Sequence, residues 1–272
     1  MKVQPIMESK LSVVKFFSLF EKYCAKFLPA VYSHLVNNGF YVERRWKEKV
    51  GFEYLNDDHP DRRLFVSLVR SEKIKSVLEI GSGSQFELQM LKSSGDLSRT
   101  CYSVLDINQH WLTEGKKRTP EAFFYKGSIN KIPFPSSRFN MVYCRHVIEH
   151  QPYFTAAIDE MWRVSMDWVV INCFRWSLTQ DIIRRDKYFS NTYSIDNLKK
   201  YCSQLSEHVS MFVVLKEGRS SFQINTGNDG SNDVRRTEDH LLILMRKKDS
   251  ISEEYLLGLQ REAGATLIFR RF

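Results

Sequence analysis

The sequence has no uncharged apolar run of about 18 or more residues, the length a helix needs to cross a bilayer. Residues 1–10 also lack the charged-then-apolar order of a secretion signal. A soluble, cytoplasmic protein without a membrane span is therefore expected. Cysteine is scarce: Cys24, Cys101, Cys144, Cys173 and Cys202 are widely scattered, and none forms a CxxC pair. That spacing gives no thiolate zinc site and no dithiol redox motif, so free thiols are expected. Internal repeats and low-complexity segments are missing too. So is any long block of one charge. The net charge of +8 comes from basic residues spread over 10–26, 44–49, 184–187 and 270–271. A solvated basic surface is the simpler reading; anionic partners are favoured in general, and nucleic acid is permitted without being indicated.

What is present is a core-forming composition, 43% hydrophobic and 13% aromatic in 272 residues. It suffices for one sizeable domain with an appendage. Residues 1–70 show helical periodicity and are expected to form a helical cap, ending in a helix over 61–71 with Asp61 favouring its N-terminus. From residue 76 short apolar runs (76–80, 101–105, 122–125, 139–144, 168–173) alternate with helical stretches (86–93, 110–117, 153–164). Such alternation predicts a parallel sheet covered on both faces. A helix over 194–205 and strands over 209–215 and 240–245 follow, with a polar connection, 218–238, that could cover a site. Residues 253–271 read as an amphipathic helix and a basic, apolar tail. The expected division is a cap (1–70), a catalytic domain (71–250) and a C-terminal helix and tail (251–272).

The first chemical motif is Val77-Leu78-Glu79-Ile80-Gly81-Ser82-Gly83-Ser84-Gln85. It is a buried strand running through a glycine turn into a helix. Gly81 and Gly83 let backbone approach a ligand closely, and the helix offers unpaired N–H groups. Open α/β sheets bind ligands at these strand ends. A dinucleotide enzyme would want glycine or alanine where Phe86 stands. Glu79 would also sit badly beside a pyrophosphate but well beside an ammonium group. The second motif is Val104-Leu105-Asp106-Ile107-Asn108, a strand ending in a carboxylate able to accept both hydroxyls of a ribose. The third is Gly127-Ser128-Ile129-Asn130-Lys131-Ile132-Pro133-Phe134-Pro135, then residues 137–150 ending in Arg145-His146-Val147-Ile148-Glu149-His150.

In this order and spacing the three motifs resemble the class I S-adenosylmethionine-dependent methyltransferases, in particular the type 11 small-molecule group. That group pairs an ExGxG turn with an acid, a GDxxxLPF loop, an FDxV strand and a terminal EH. The resemblance spans residues 77–173. It implies a Rossmann-like, doubly wound, mostly parallel seven-stranded sheet behind the helical cap. It further implies that Glu79 and the Gly81, Ser82 and Gly83 backbone hold the methionine part of S-adenosylmethionine, Asp106 the ribose, and Ile107 the adenine face. The adenine amine would meet Ser128, which replaces the family's loop acid, or the Ile129 backbone. Gln85 replaces a frequent third glycine and Asn140 the strand aspartate.

Methyl transfer from a sulfonium is an in-line displacement, so positioning and exclusion of water dominate and a base is optional. His150 is the expected base, by its near-neutral pKa and by its match to the family's terminal histidine; a structural role for it stays open. Arg145 is expected to line the cofactor pocket with Tyr143, available to an anionic acceptor. HxxEH also has the look of a metal triad with His146 first, but no metal is expected. The acceptor expected is a small molecule or glycan methylated at O or N. RNA or protein methylation, and a methyltransferase-like binding protein without catalysis, remain as alternatives. Oligomeric state is not indicated.

Overall fold

The computed structural model describes residues 59–183, 189–216 and 239–268. The expected helices before residue 59, the connection 218–238 and the tail beyond residue 268 lie outside them. The elements are α1 (Pro60–Ser71), β1 (Ser76–Ile80), α2 (Phe86–Ser93), β2 (Cys101–Asp106), α3 (Gln109–Arg118), β3 (Phe123–Lys126) and β4 (Phe139–Arg145). They continue with α4 (Phe154–Val164), β5 (Ser165–Cys173), β6 (Trp176–Ser177), β7 (Tyr193–Ser194), α5 (Ile195–Leu205), β8 (His208–Leu215), β9 (His240–Arg246), α6 (Glu253–Ala263) and β10 (Thr266–Ile268).

One mixed sheet runs in the order β10-β8-β9-β5-β4-β1-β2-β3, and β6 pairs with β7 beside it. Strands β1 to β5 are parallel, whereas β9, β8 and β10 are each antiparallel to the preceding neighbour. The sheet thus has eight strands, one more than expected. The extra strand is part of the apolar tail, where Leu267 pairs with Val214 of β8. Gly264, in the left-handed conformation at the end of α6, turns the chain back onto the sheet.

Period-two alternation along the strands divides the core in two. Leu78, Val142, Val169 and Ile243 point to one face, packed by Ala157, Ile158 and Met161 of α4 and by Leu198 and Cys202 of α5. Val77, Tyr102, Met141, Val170 and Leu244 point to the other, packed by Leu64 and Leu68 of α1, Leu88 of α2 and Leu256 of α6. Every parallel strand therefore ends at one edge of the sheet. The motif residues Glu79 to Gly83, Asp106 and Arg145 to His150 gather there. Among the described residues no helix is long and apolar enough to cross a membrane.

Candidate active site

The turn after β1 is shaped by backbone that ordinary side chains avoid. Gly81 and Gly83 have φ of 70° and 48°. A Cβ on Gly81 would overlap the Val147 Cγ2 methyl, so glycine here lets the loop after β4 close over the turn. The Gly81 N–H donates to Leu105 O at 2.8 Å, tying the turn to the end of β2. Ser82 Oγ is buried with no partner among the described residues, a group that a polar ligand would satisfy.

Gln85 stands where a third glycine is frequent, and it too is left-handed, at φ 58°. Its carboxamide turns away from the turn and donates from Nε2 to Trp111 O at 2.8 Å. It lies over Gly115 of α3, where a Cβ would run into the carboxamide. A glycine lost at one helix start is thus matched by a glycine in the next helix. Asn140 is likewise remote from the chemistry. It clips the start of β4 to the start of β1 through Ser76, at the opposite sheet edge.

The two acids are buried and both shifted upward. Burial, then the like charge of Glu87, pushes the Glu79 carboxyl well above the usual range, although Tyr102 OH donates to its Oε2 at 3.0 Å. Burial raises Asp106 to about 6, against the backbone N–H groups of Asn108, Gly83 and Ile107 that it accepts. Ile107 beside it is half-buried. The loop after β3 is pinned by Arg163, whose guanidinium donates to Phe134 O at 2.8 Å and Ile132 O at 2.9 Å. Within that loop Ser128 Oγ accepts the Asn130 N–H at 3.2 Å, and Ile129 is buried.

At the end of β4, His150 Nδ1 lies 2.8 Å from Phe189 O; a carbonyl only accepts, so this nitrogen carries the hydrogen. Burial raises Glu149 to about 7, and its Oε1 accepts the Phe174 N–H. Arg145 does not reach into open space. Its Nε donates to Asp61 Oδ2 at 3.1 Å and lies 3.7 Å from Glu87 Oε1. Glu87 in turn receives Tyr143 OH and pairs with Arg62 at 2.7 Å.

Sequence reading missed the group around Asp61. This carboxylate takes His59 Nδ1 (2.8 Å) on Oδ1, and His240 Nδ1 (2.8 Å), Asn172 Nδ2 (2.6 Å) and Arg145 on Oδ2. His59 Nδ1 also lies 3.3 Å from the Asp61 amide, but the shorter carboxylate contact requires Nδ1 to be the donor. Burial alone would raise Asp61; Arg145 and the two imidazoles outweigh it and hold it well below the carboxylate range. Burial lowers His240 to about 4 despite Asp61, and places His146 well below its usual value, so both rings are neutral. The signal in the sequence was slight, a His-Pro-Asp helix start, and nothing there pointed to a partner 179 residues away.

His59, Asp61 and His240 offer atoms within 4.8 Å of one another, as metal ligands would. The geometry argues otherwise. The two imidazoles stack with centroids 3.8 Å apart. Two rings bound to one ion through bonds of about 2.1 Å would hold their centres roughly 4.5 Å or more apart even at a right angle. Both carboxylate oxygens are moreover occupied by donors.

Residues 78–166 match the family model described as a methyltransferase domain. The chain carries a class I, type 11 methyltransferase domain. The protein is an enzyme, and its cofactor is S-adenosylmethionine. Among solved structures, the methyltransferase is similar in fold to 1,6-didemethyltoxoflavin-N1-methyltransferase from Burkholderia thailandensis, with TM-score 0.55 at 11% identity over 81% of this chain and 91% of that one. It is also similar to a SAM-dependent methyltransferase from Thermotoga maritima, with TM-score 0.50 at 15% identity over 78% of this chain and 100% of that one. No curated protein sequence matches the methyltransferase. Its residues fit the cofactor: the unpartnered Ser82 hydroxyl, the open space beside Gly83, where a Cβ would meet nothing within 4 Å, and two acids on adjoining strands all lie at the same sheet edge.

Proposed function

We propose that the methyltransferase moves the methyl group to an O or N atom of a small-molecule or glycan acceptor. The observation that carries this reading is the convergence of Glu79, the Gly81 to Gly83 turn and Asp106 beside the aromatic and imidazole side chains that end β4 and begin β9. Glu79 and the backbone of Gly81, Ser82 and Gly83 would hold the methionine part, with the Glu79 carboxylate facing its ammonium. Asp106 would accept from the ribose hydroxyls and Ile107 would lie against adenine, with Ser128 or the Ile129 amide at its edge. Arg145 would serve from the wall, because its guanidinium is engaged by Asp61 and Glu87. His150, the base expected from the sequence, has its Nδ1 engaged by the Phe189 carbonyl at the end of this wall.

When bound, S-adenosylmethionine supplies an electrophilic methyl group on a sulfonium. The chain's own task is to align the acceptor, keep water out and take up a proton where the acceptor bears one. Of Gln85, Ser128 and Asn140, the departures that made a catalytically lost protein conceivable, Gln85 and Asn140 direct their side chains away from the turn. The 1,6-didemethyltoxoflavin-N1-methyltransferase, whose structure holds 1,6-didemethyltoxoflavin together with S-adenosylhomocysteine, supports a small acceptor in this fold.

The test has two arms. Calorimetry should show saturable binding of S-adenosylhomocysteine. Incubation with methyl-labelled S-adenosylmethionine and separate pools of phenols, amines, glycans, RNA and protein should then label a small-molecule or glycan pool. Label confined to RNA or protein would replace the acceptor assignment, and an absence of binding heat would remove the functional reading altogether.

A further inference from the structure

The edge of the sheet holds a second constellation beside the cofactor turn. Its members come from four elements: His59 and Asp61 at the start of α1, Arg145 and His146 at the end of β4, Asn172 near the end of β5, and His240 at the start of β9. His146 is left-handed, at φ 59°, a strained conformation for a residue other than glycine, and its N–H is held by Asn172 O at 2.9 Å. Its Nε2 is buried without a hydrogen-bond partner among the described residues. The His146 ring stands edge-on to His240 at 4.6 Å and packs on Phe174 at 4.6 Å. Val147, next in the chain, is the residue whose methyl occupies the space above Gly81. The imidazoles therefore adjoin the turn assigned above to the methionine end of the cofactor.

An ionised carboxylate only accepts hydrogen bonds, so His240 must carry its hydrogen on Nδ1, facing Asp61. The neutral ring then has a bare Nε2, which makes no hydrogen bond to the described residues. Asp61 itself is immobilised by Arg145 and Asn172, so the imidazole is fixed in both orientation and tautomer. A buried acid that orients a histidine in this way is the arrangement by which proton acceptors are commonly prepared. Around it the His59–His240 stack, the His146 ring and Phe174 pack in an aromatic cluster.

We propose that Asp61 and His240 form the proton-accepting pair of the acceptor site, with Asp61 positioning His240 and His240 Nε2 taking the proton of a phenolic hydroxyl that docks beside the imidazole. The inference deepens the methyltransferase reading and rests on it. The hydroxyl proton passes to His240 Nε2. The electron pair left on oxygen forms the bond to the methyl carbon as the carbon–sulfur bond breaks, its electrons going to sulfur. The imidazolium so formed faces the Asp61 carboxylate, which stabilises it, and later releases its proton to water. Phenol suits a neutral imidazole base better than a sugar hydroxyl, since its proton is more acidic. His150 is engaged through Nδ1 with Phe189 O.

The test begins with protein carrying 15N-histidine and saturated with S-adenosylhomocysteine. Long-range 1H–15N spectra should show His240 as the Nδ1–H tautomer; a hydrogen on Nε2 would overturn the proposal whatever the activity. His240→Asn keeps a donor toward Asp61 and deletes only the distal nitrogen. With catechol as the phenolic probe and labelled S-adenosylmethionine, this variant should lose at least a hundredfold in kcat, with S-adenosylhomocysteine affinity within twofold of the parent. Retained turnover would overturn the base assignment, and no labelling of catechol by the parent would overturn the acceptor class. Asp61→Asn should convert His240 to the Nε2–H tautomer; should that variant fail to fold, the parent spectrum and His240→Asn decide. Loss of S-adenosylhomocysteine binding by the parent itself would strike the underlying functional reading and not the dyad.

Discussion

Replacing Gly115 by alanine would ordinarily stabilise the protein, because glycine inside a helix costs about 0.5–1 kcal/mol relative to alanine. Here the opposite sign is expected. Gly115 lies inside α3, and the space its missing Cβ leaves is filled by the Gln85 carboxamide, which is fully buried. The new methyl would push that carboxamide off Trp111 O. A buried polar group that loses its partner costs about 1–3 kcal/mol. Against the helical gain, Gly115→Ala should destabilise by about 0.5–2 kcal/mol. In a Gln85→Gly background the carboxamide is gone and the turn keeps a residue suited to φ 58°. There the same substitution should stabilise, by about 0.5–1 kcal/mol. Urea unfolding of the four proteins of this cycle reads the coupling directly, expected at about 1–3 kcal/mol. If Gly115→Ala raises stability equally in both backgrounds, the account of Gln85 as the occupant of that space is wrong.

Asp106 must be ionised to accept from a ribose, and burial raises it to about 6. Affinity for S-adenosylhomocysteine should therefore fall as pH drops through about 6, and Asp106→Asn should flatten that dependence; calorimetry across pH 5 to 8, an ordinary working range, checks it. Burial and Glu87 raise Glu79 well above the usual carboxyl range, so an ammonium docking beside it should favour the ionised form and release protons on binding. Titrations in buffers of differing ionisation enthalpy would measure this, and identical heats in all buffers would detach Glu79 from the ammonium. Asp61→Asn leaves Arg145 without its closest acid and should destabilise by about 3–5 kcal/mol in urea unfolding. Since the folded Asp61 lies below its unfolded value, its stabilisation is present above about pH 4 and is lost as pH falls further.

Local pattern determined much of this protein. Helix α2 falls on the residues its periodicity predicts, and β1 on its apolar run, because burial of one face and glycine at the turn are properties of adjacent residues. The positions of Glu79 and Asp106 were legible for the same reason: one stands just before the end of β1 and the other ends β2, each beside a recognisable turn. Strand β10 was not, since three residues acquire their pairing only when β8 supplies an edge. The roles of Gln85 and Gly115 were equally hidden, because neither deviates from local rules in a way that names the other.

The Asp61 centre shows where sequence stops. His59, Arg145, Asn172 and His240 are ordinary residues in their own segments; only the winding of the sheet brings β4, β5, β9 and the start of α1 to one edge. Once they meet away from water, a carboxylate with four donors stays charged and the His240 ring stays neutral, a state set by proximity and burial. The sequence alone carried the order of strands, turns and acids that makes a methyltransferase. Tertiary contact decided which side chains share a carboxylate, and so which nitrogen is left bare.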